Sequence, residues 1–366
     1  MNRKDQQRSS TRRFTPLGII FASLGLLLFI YFVRKAGVEE IIEGIRRLGA
    51  GFLLIFVISG TRKVVRSVAW MRCLEAPSRL RFRDAFKAVV IGDAVGTLMP
   101  VGTVVSEPAK AALVRDRVPL MAGLSAITVE YLFYSLSVAL FIFSGTVALL
   151  LSFPLPKPLR LASIGALIVI VLIVLAAYLI IRRQWKIFSR LLDFFHGRNI
   201  GRRFLQTRRE SVSTLEERIY GFYGRHRSRF LPILLLESCY HLAGVAEAYV
   251  TLSYISEALA PTVLTAFILE SVNRIINIVF KLIPLRTGID EAGTGLLANV
   301  LGLGTTLGVT LAIIRKAREI CWTALGIALL VRRGLSLRTV AEEAEAALAK
   351  EVSAARSTTV PASEGR

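Results

Sequence analysis

The chain has 366 residues, 54% of them hydrophobic, and a formal net charge of +21 from 47 basic and 26 acidic side chains. Run lengths exclude one large soluble domain: no charge interrupts Phe14 to Val33, Tyr131 to Pro156, Leu161 to Ile181 or Ala292 to Ile314, and each reaches the roughly 20 residues a helix needs to cross about 30 Å of hydrocarbon. The positive charge argues against nucleic acid as a partner, because it falls in alternate connections between the apolar stretches, the pattern of a membrane protein.

In chain order, a basic tail at residues 1–13 (Arg3, Lys4, Arg8, Arg12, Arg13) precedes a first span at Leu17 to Val33. Its apolar core is too long for a cleaved signal peptide and no small-residue cleavage site follows before Arg34, so Met1 is expected in the mature protein. A hairpin from Arg34 to Arg47 is balanced by Glu39, Glu40 and Glu43. Span two is expected at about Leu48 to Leu74, with Arg62, Lys63 and Arg66 in its cytoplasmic half; Arg62 and Arg66 read as side chains snorkelling to the interface. Arg72, Arg79, Arg81, Arg83 and Lys87 follow it. Span three, Leu120 to Phe153, is long enough to be tilted or broken. After the proline-rich turn Phe153 to Arg160 comes span four, Leu161 to Ile181.

The segment 182–229 is dense in arginine and carries Trp185, Ile187, Phe188, Leu191, Leu192, Phe194 and Phe195 among the cations. Part of it is expected to lie on the inner leaflet as an amphipathic helix held by anionic lipids. Span five is about Phe230 to Ile255, and a last span, Thr306 to Val331, ends on Arg332 and Arg333. A transmembrane domain therefore occupies 14–333, and 334–366 is expected to be a cytoplasmic helix and polar tail. By the positive-inside rule both termini and 182–229 are cytoplasmic.

Two apolar but interrupted stretches remain, Ala85 to Val114 and Leu259 to Leu303. Each has a proline in the middle, then a polar turn and a glutamate: Pro100-Val-Gly-Thr103-Val-Val-Ser106-Glu107 and Pro284-Leu-Arg286-Thr287-Gly-Ile-Asp290-Glu291. They align without a gap at an offset of 184 residues. The first stretch is expected to enter and leave the membrane from inside and the second from outside. The fold class is thus all-α, with about six full transmembrane helices plus two broken or re-entrant hairpins in an inverted repeat. Transporters share this architecture because non-helical backbone at that depth must line a cavity or be buried in protein. Ser106 and Asp290 read as N-caps, Pro108 suits a first turn, and Glu107 and Glu291 complement the positive end of a helix dipole.

From about Pro16 to Arg333, this layout, with Pro100 to Lys110 and Pro284 to Glu291, resembles the transmembrane flippase-like region of lysylphosphatidylglycerol synthases and their stand-alone relatives, including those linked to hopanoid and glycolipid pathways. The family's first motif has Gly-Glu followed by a basic residue, where this chain has Ser106-Glu107 with Lys110, and its second is richer in glycine. The resemblance implies a bacterial inner membrane protein that moves lipids. Full-length synthases add a soluble aminoacyl-transferase domain, which this sequence does not show.

Charges inside the spans complete the expectation, since each is costly and normally has a partner or a task. Glu270 with Arg274, and Arg315 with Glu319, are spaced for intrahelical pairs. Lys316 and Arg318 have no local partner and lie roughly 15–20 Å into the last span. Lys110, Arg286, Lys316 and Arg318, with Arg315 beside them, are expected to hold an anionic headgroup together with the two hairpin turns. Glu130, Glu237, His241 and Glu247 are candidates for a proton relay. Cys73, Cys239 and Cys321 have no paired spacing, and no nucleotide, metalloprotease or hydrolase motif occurs, so no cofactor, metal or catalytic residue is expected. The reading is a translocase for an anionic, aminoacylated, glycosylated or hopanoid-type lipid, possible partners being a second copy or a lipid-biosynthesis enzyme. A secondary transporter of a small anion or amino-acid-like solute is the alternative.

Overall fold

The structure, a computed structural model, describes residues 31, 34, 38–98, 102–183, 221–256, 260–280, 286 and 288–332. Among the described residues there is no strand, and ten helices are numbered here in chain order: α1 Val38–Leu48, α2 Gly51–Cys73, α3 Phe82–Leu98, α4 Gly102–Ala112, α5 Leu120–Ser152, α6 Lys157–Arg182, α7 Arg227–Ile255, α8 Val263–Val279, α9 Ile289–Val300 and α10 Thr305–Arg332. The first expected span apart from Tyr31, the amphipathic stretch around Trp185 to Phe195 and both terminal segments lie outside the described residues.

Local chemistry accounts for most boundaries. α5 runs unbroken for 33 residues between Pro119 and the Pro154/Pro156 turn, so of the two alternatives for span three, tilted or broken, it is not the broken one. α6 has Pro158 in its first turn, where a missing N–H costs nothing. Thr262 caps α8, its hydroxyl accepting from Thr265 N at 3.1 Å. The expected start of span two is corrected: Gly49 adopts φ 42° and separates α1 from α2, a conformation glycine tolerates.

Three helices, α5, α6 and α7, are long and apolar enough to cross a membrane by themselves. Only 6% of the α6 window is buried, so this helix turns its apolar surface outward, as a lipid-facing helix does. α2 and α10, with 23 and 28 residues, extend about 35 and 42 Å at 1.5 Å per residue. Charged side chains keep their hydropathy lower.

The 184-residue offset extends beyond the two motifs: it carries α2, α3, α4 and α5 onto α7, α8, α9 and α10 in order. The counterparts α2 and α7 pack antiparallel. Gly51 meets Tyr254, Arg62 meets Gly244, and Arg229 Nη1 donates to the carbonyls of Arg72 and Leu74 at 3.3 and 3.2 Å. The two units are therefore inverted, and they interlock: α3 packs on α10, where Gly326 meets Val90 and Ala94, and α8 packs on α5, where Gly145 meets Ser271. Each hairpin folds back on itself at the matching place, Gly92 against Lys110 and Ile276 against Gly293.

Two apolar cores form at the ends of the bundle. One gathers Trp70, Leu80, Val118, Phe133 and Ile233; the other gathers Leu48, Leu149, Leu252, Ile255, Leu301 and Leu311. The end with Trp70 carries basic connections, where Arg225 pairs with Glu75 at 3.0 Å and Arg117 with Asp84 at 2.9 Å.

A buried ionic layer between two cores

The functional candidates fall between the two apolar cores, near the middle of the long helices. α2 supplies the hub, because Arg62, Lys63 and Arg66 lie within little more than one turn and their long side chains reach carboxylates of both units. Arg62 faces the second unit: Nη2 meets Glu270 Oε1 of α8 at 2.5 Å and Nη1 meets Glu247 Oε2 of α7 at 3.3 Å. Lys63 and Arg66 face the first unit. Lys63 Nζ binds Asp93 of α3 at 2.5 Å, and Arg66 Nε lies 2.7 Å from Glu130 Oε1 of α5.

The second helix of each hairpin joins the layer as well. Lys110 of α4 lies 2.9 Å from Asp93 and 3.0 Å from Glu107, and Glu107 also lies 4.0 Å from Arg66. On α9 the fully buried Glu291 pairs with Lys316 of α10, and its Oε2 accepts from Gly288 N at 2.7 Å. Arg286 reaches Asp290 at 3.3 Å and Glu319 at 3.4 Å. Glu270 is the most heavily used carboxylate: Arg274 Nη2 approaches at 2.5 Å and Arg315 Nη2 at 2.8 Å, besides Arg62. Glu247 takes Arg318 as well as Arg62. The Arg62 and Arg274 guanidiniums also lie over the Tyr240 ring, at 5.0 and 5.2 Å, where the ring quadrupole favours a cation.

These contacts revise several expectations. Lys316 and Arg318 are not free cations: α10 lies against α7 and α9, which bring Glu247 and Glu291 to them. Arg315 and Glu319 do not pair with each other; the neighbouring helices offer Glu270 to one and Arg286 to the other. Arg62 and Arg66 do not snorkel, since carboxylates on α5, α7 and α8 hold them inside the bundle. Ser106 is not a cap, because α4 begins at Gly102, which also puts Pro108 in the helix interior. Asp290 is the second residue of α9, whose N-cap is Gly288 at φ 83°. The intrahelical pair Glu270–Arg274 forms as its spacing requires.

Of the other expected site residues, Pro100, Pro284 and Thr287 lie outside the described residues, and Thr103 is described only as part of the α4 backbone. Of the relay candidates, Glu247 belongs to the arginines, while His241 contacts Ser137 at 3.0 Å and stacks on Phe141. Lys63 and Asp93 were not anticipated. Their signal was available: Arg62, Lys63 and Arg66 interrupt an otherwise apolar helix, and Asp93 does the same in α3.

Every cation named in the layer has a carboxylate within 3.3 Å, so the layer is matched internally. The match is incomplete atom by atom. Arg274 Nε and Arg315 Nη1 are buried donors without an acceptor, and Asp290 Oδ1 and Glu107 Oε2 are buried acceptors without a donor. The chemistry open to such an arrangement is exchange, in which an oxyanion would take spare N–H donors and displace a carboxylate from an arginine.

A family model for the lysylphosphatidylglycerol synthase TM region matches residues 17–331, and the chain belongs to that family. No curated protein and no solved structure matches the chain. The family places the chain among membrane proteins of lipid-related processes.

Proposed function

We propose that this member of the lysylphosphatidylglycerol synthase TM-region family is a lipid translocase that passes an anionic headgroup between leaflets through the ionic layer while the acyl chains stay in the bilayer. The observation that carries the reading is the layer's position, at the meeting of two inverted units whose broken hairpins each contribute a glutamate. Arg286 and Gly288 leave the helical conformation, with φ 46° and 83°, and such backbone within a membrane suits a cavity lining, so both hairpins are read as re-entrant. The basic end of the bundle is assigned to the cytoplasm.

In this mechanism the headgroup phosphate replaces carboxylates as the partner of Arg315, Lys316 and Arg318. Glu247 and Glu291 tie α10 to α7 and α9 within the second unit, and Glu247 also holds Arg62 of the first; exchanging them for phosphate frees α10 and loosens the Arg62 contact between units, and alternating exchange opens the layer first to one leaflet and then to the other. The protein supplies binding and gating; the reading assigns it no catalytic step.

The test is fluorescent phosphatidylglycerol in phosphatidylcholine vesicles containing the purified protein, with dithionite quenching to report leaflet exchange. Lys316→Gln and Arg318→Gln each remove one charge-assisted contact worth about 1.5–3 kcal/mol, and are expected to slow exchange about tenfold or more. Both proteins inserting normally and moving lipid at the unmodified rate would place the headgroup site elsewhere.

A further inference from the structure

The buried carboxyl of Glu237 takes no part in the ion pairs of the layer. It stands on α7, 0% exposed, and no N–H or O–H donor reaches either of its oxygens. What lies within hydrogen-bonding reach is a second acceptor, the Glu130 carboxyl of α5. Glu130 is itself 2% exposed, and Arg66 Nε lies 2.7 Å from it. Two ionised carboxylates in contact would leave acceptor facing acceptor, with one cation against two anions in a site closed to water. One proton resolves both conflicts: the protonated carboxyl donates to its neighbour, and the remaining single negative charge is matched by Arg66.

We propose that Glu237 and Glu130 hold one proton between them, and that this carboxyl pair couples lipid movement to a proton gradient; the coupling, though not the shared proton, rests on the translocase reading. The groups facing the pair are consistent with a proton carrier. α2 presents Arg66 and Cys73, α5 presents Tyr134 with Arg66 4.5 Å over its ring, α4 presents Glu107 and Lys110, and α7 contributes Arg229 near Cys73. Arg66 is the link to the transport layer, since it also lies 4.0 Å from Glu107 of the first hairpin. An anionic headgroup that draws Arg66 toward itself leaves the pair without its countercharge. The remaining carboxylate then takes up a second proton from water, and returns it when Arg66 swings back. One O–H bond forms per anion admitted and breaks on its release, so proton and anion travel in the same stoichiometric cycle.

Infrared spectroscopy of the purified protein in phosphatidylcholine vesicles reads the shared proton directly. The expected result is a protonated-carboxyl C=O stretch at neutral pH that shifts down on exchange into D2O and is lost in Glu237→Gln. In the fluorescent phosphatidylglycerol assay, an imposed pH gradient should change the wild-type rate severalfold, while Glu130→Gln/Glu237→Gln, which leaves no carboxyl at the pair to take up or release the second proton, should not respond. No protonated-carboxyl band in the wild-type protein, the same band surviving in Glu237→Gln, or equal gradient responses would overturn the proposal. Should the wild-type protein move no phosphatidylglycerol, gradient coupling falls with the translocase reading, and the infrared band and its D2O shift still decide the shared proton.

Discussion

Replacing Glu270 by glutamine probes the centre of the ionic layer. Glu270 is 3% exposed and is the carboxylate of three arginines, Arg62, Arg274 and Arg315. After Glu270→Gln, Arg62 keeps Glu247, but Arg274 and Arg315 lose their carboxylate. Breaking a buried pair by removing one partner costs about 3–5 kcal/mol, because the surviving charge stays buried without compensation. Two stranded cations at about 2.5–3.5 kcal/mol each on insertion scales set the upper range at about 5–7 kcal/mol. Since the amide oxygen still accepts one hydrogen bond, we expect the loss to fall near the lower figure. Removing one stranded charge as well, in Glu270→Gln/Arg274→Gln, should recover roughly half of it. The control is Glu75→Gln, which breaks the Arg225 pair at the basic end, where Arg225 is 53% exposed, and should cost no more than about 1 kcal/mol. Urea unfolding in detergent micelles, followed by tryptophan fluorescence, measures all four proteins. If Glu270→Gln is as stable as the Glu75 control, or if the second substitution adds to the loss instead of relieving it, the layer does not stabilise the bundle electrostatically.

Two further predictions concern packing and orientation. A methyl group at Gly308 would sit 2.4 Å from the Thr294 carbonyl oxygen and 2.7 Å from Ala298, so Gly308→Ala must push α9 from α10; a loss of about 1–3 kcal/mol is expected in the same unfolding assay, and an unchanged midpoint would contradict the close approach. With the basic end cytoplasmic, a phosphatase fused after Arg203 should be inactive and one fused in the Phe153 to Arg160 turn active, and the reverse pattern would invert the orientation.

Much of the fold was legible in the sequence. Uninterrupted apolar runs located α5 and α6, because a helix in hydrocarbon must satisfy its own backbone and needs a set length to do so; the equally uninterrupted run Ala292 to Ile314 is divided between α9 and α10. The gapless match of Pro100 to Glu107 with Pro284 to Glu291 marked a repeat that the structure extends to four helices on each side. Pairs on one helix were also readable, as Glu270 with Arg274 shows, since residues four apart share a face. The partners of the other cations were decided by tertiary structure alone. Arg62 finds Glu270 208 residues away, and Arg318 finds Glu247 71 residues away. Nothing in the local sequence separates a cation that will snorkel or stay free from one whose carboxylate arrives on another helix. That depends on how the inverted units interlock, and the interlocking gave the cations expected to hold a headgroup carboxylate partners of their own.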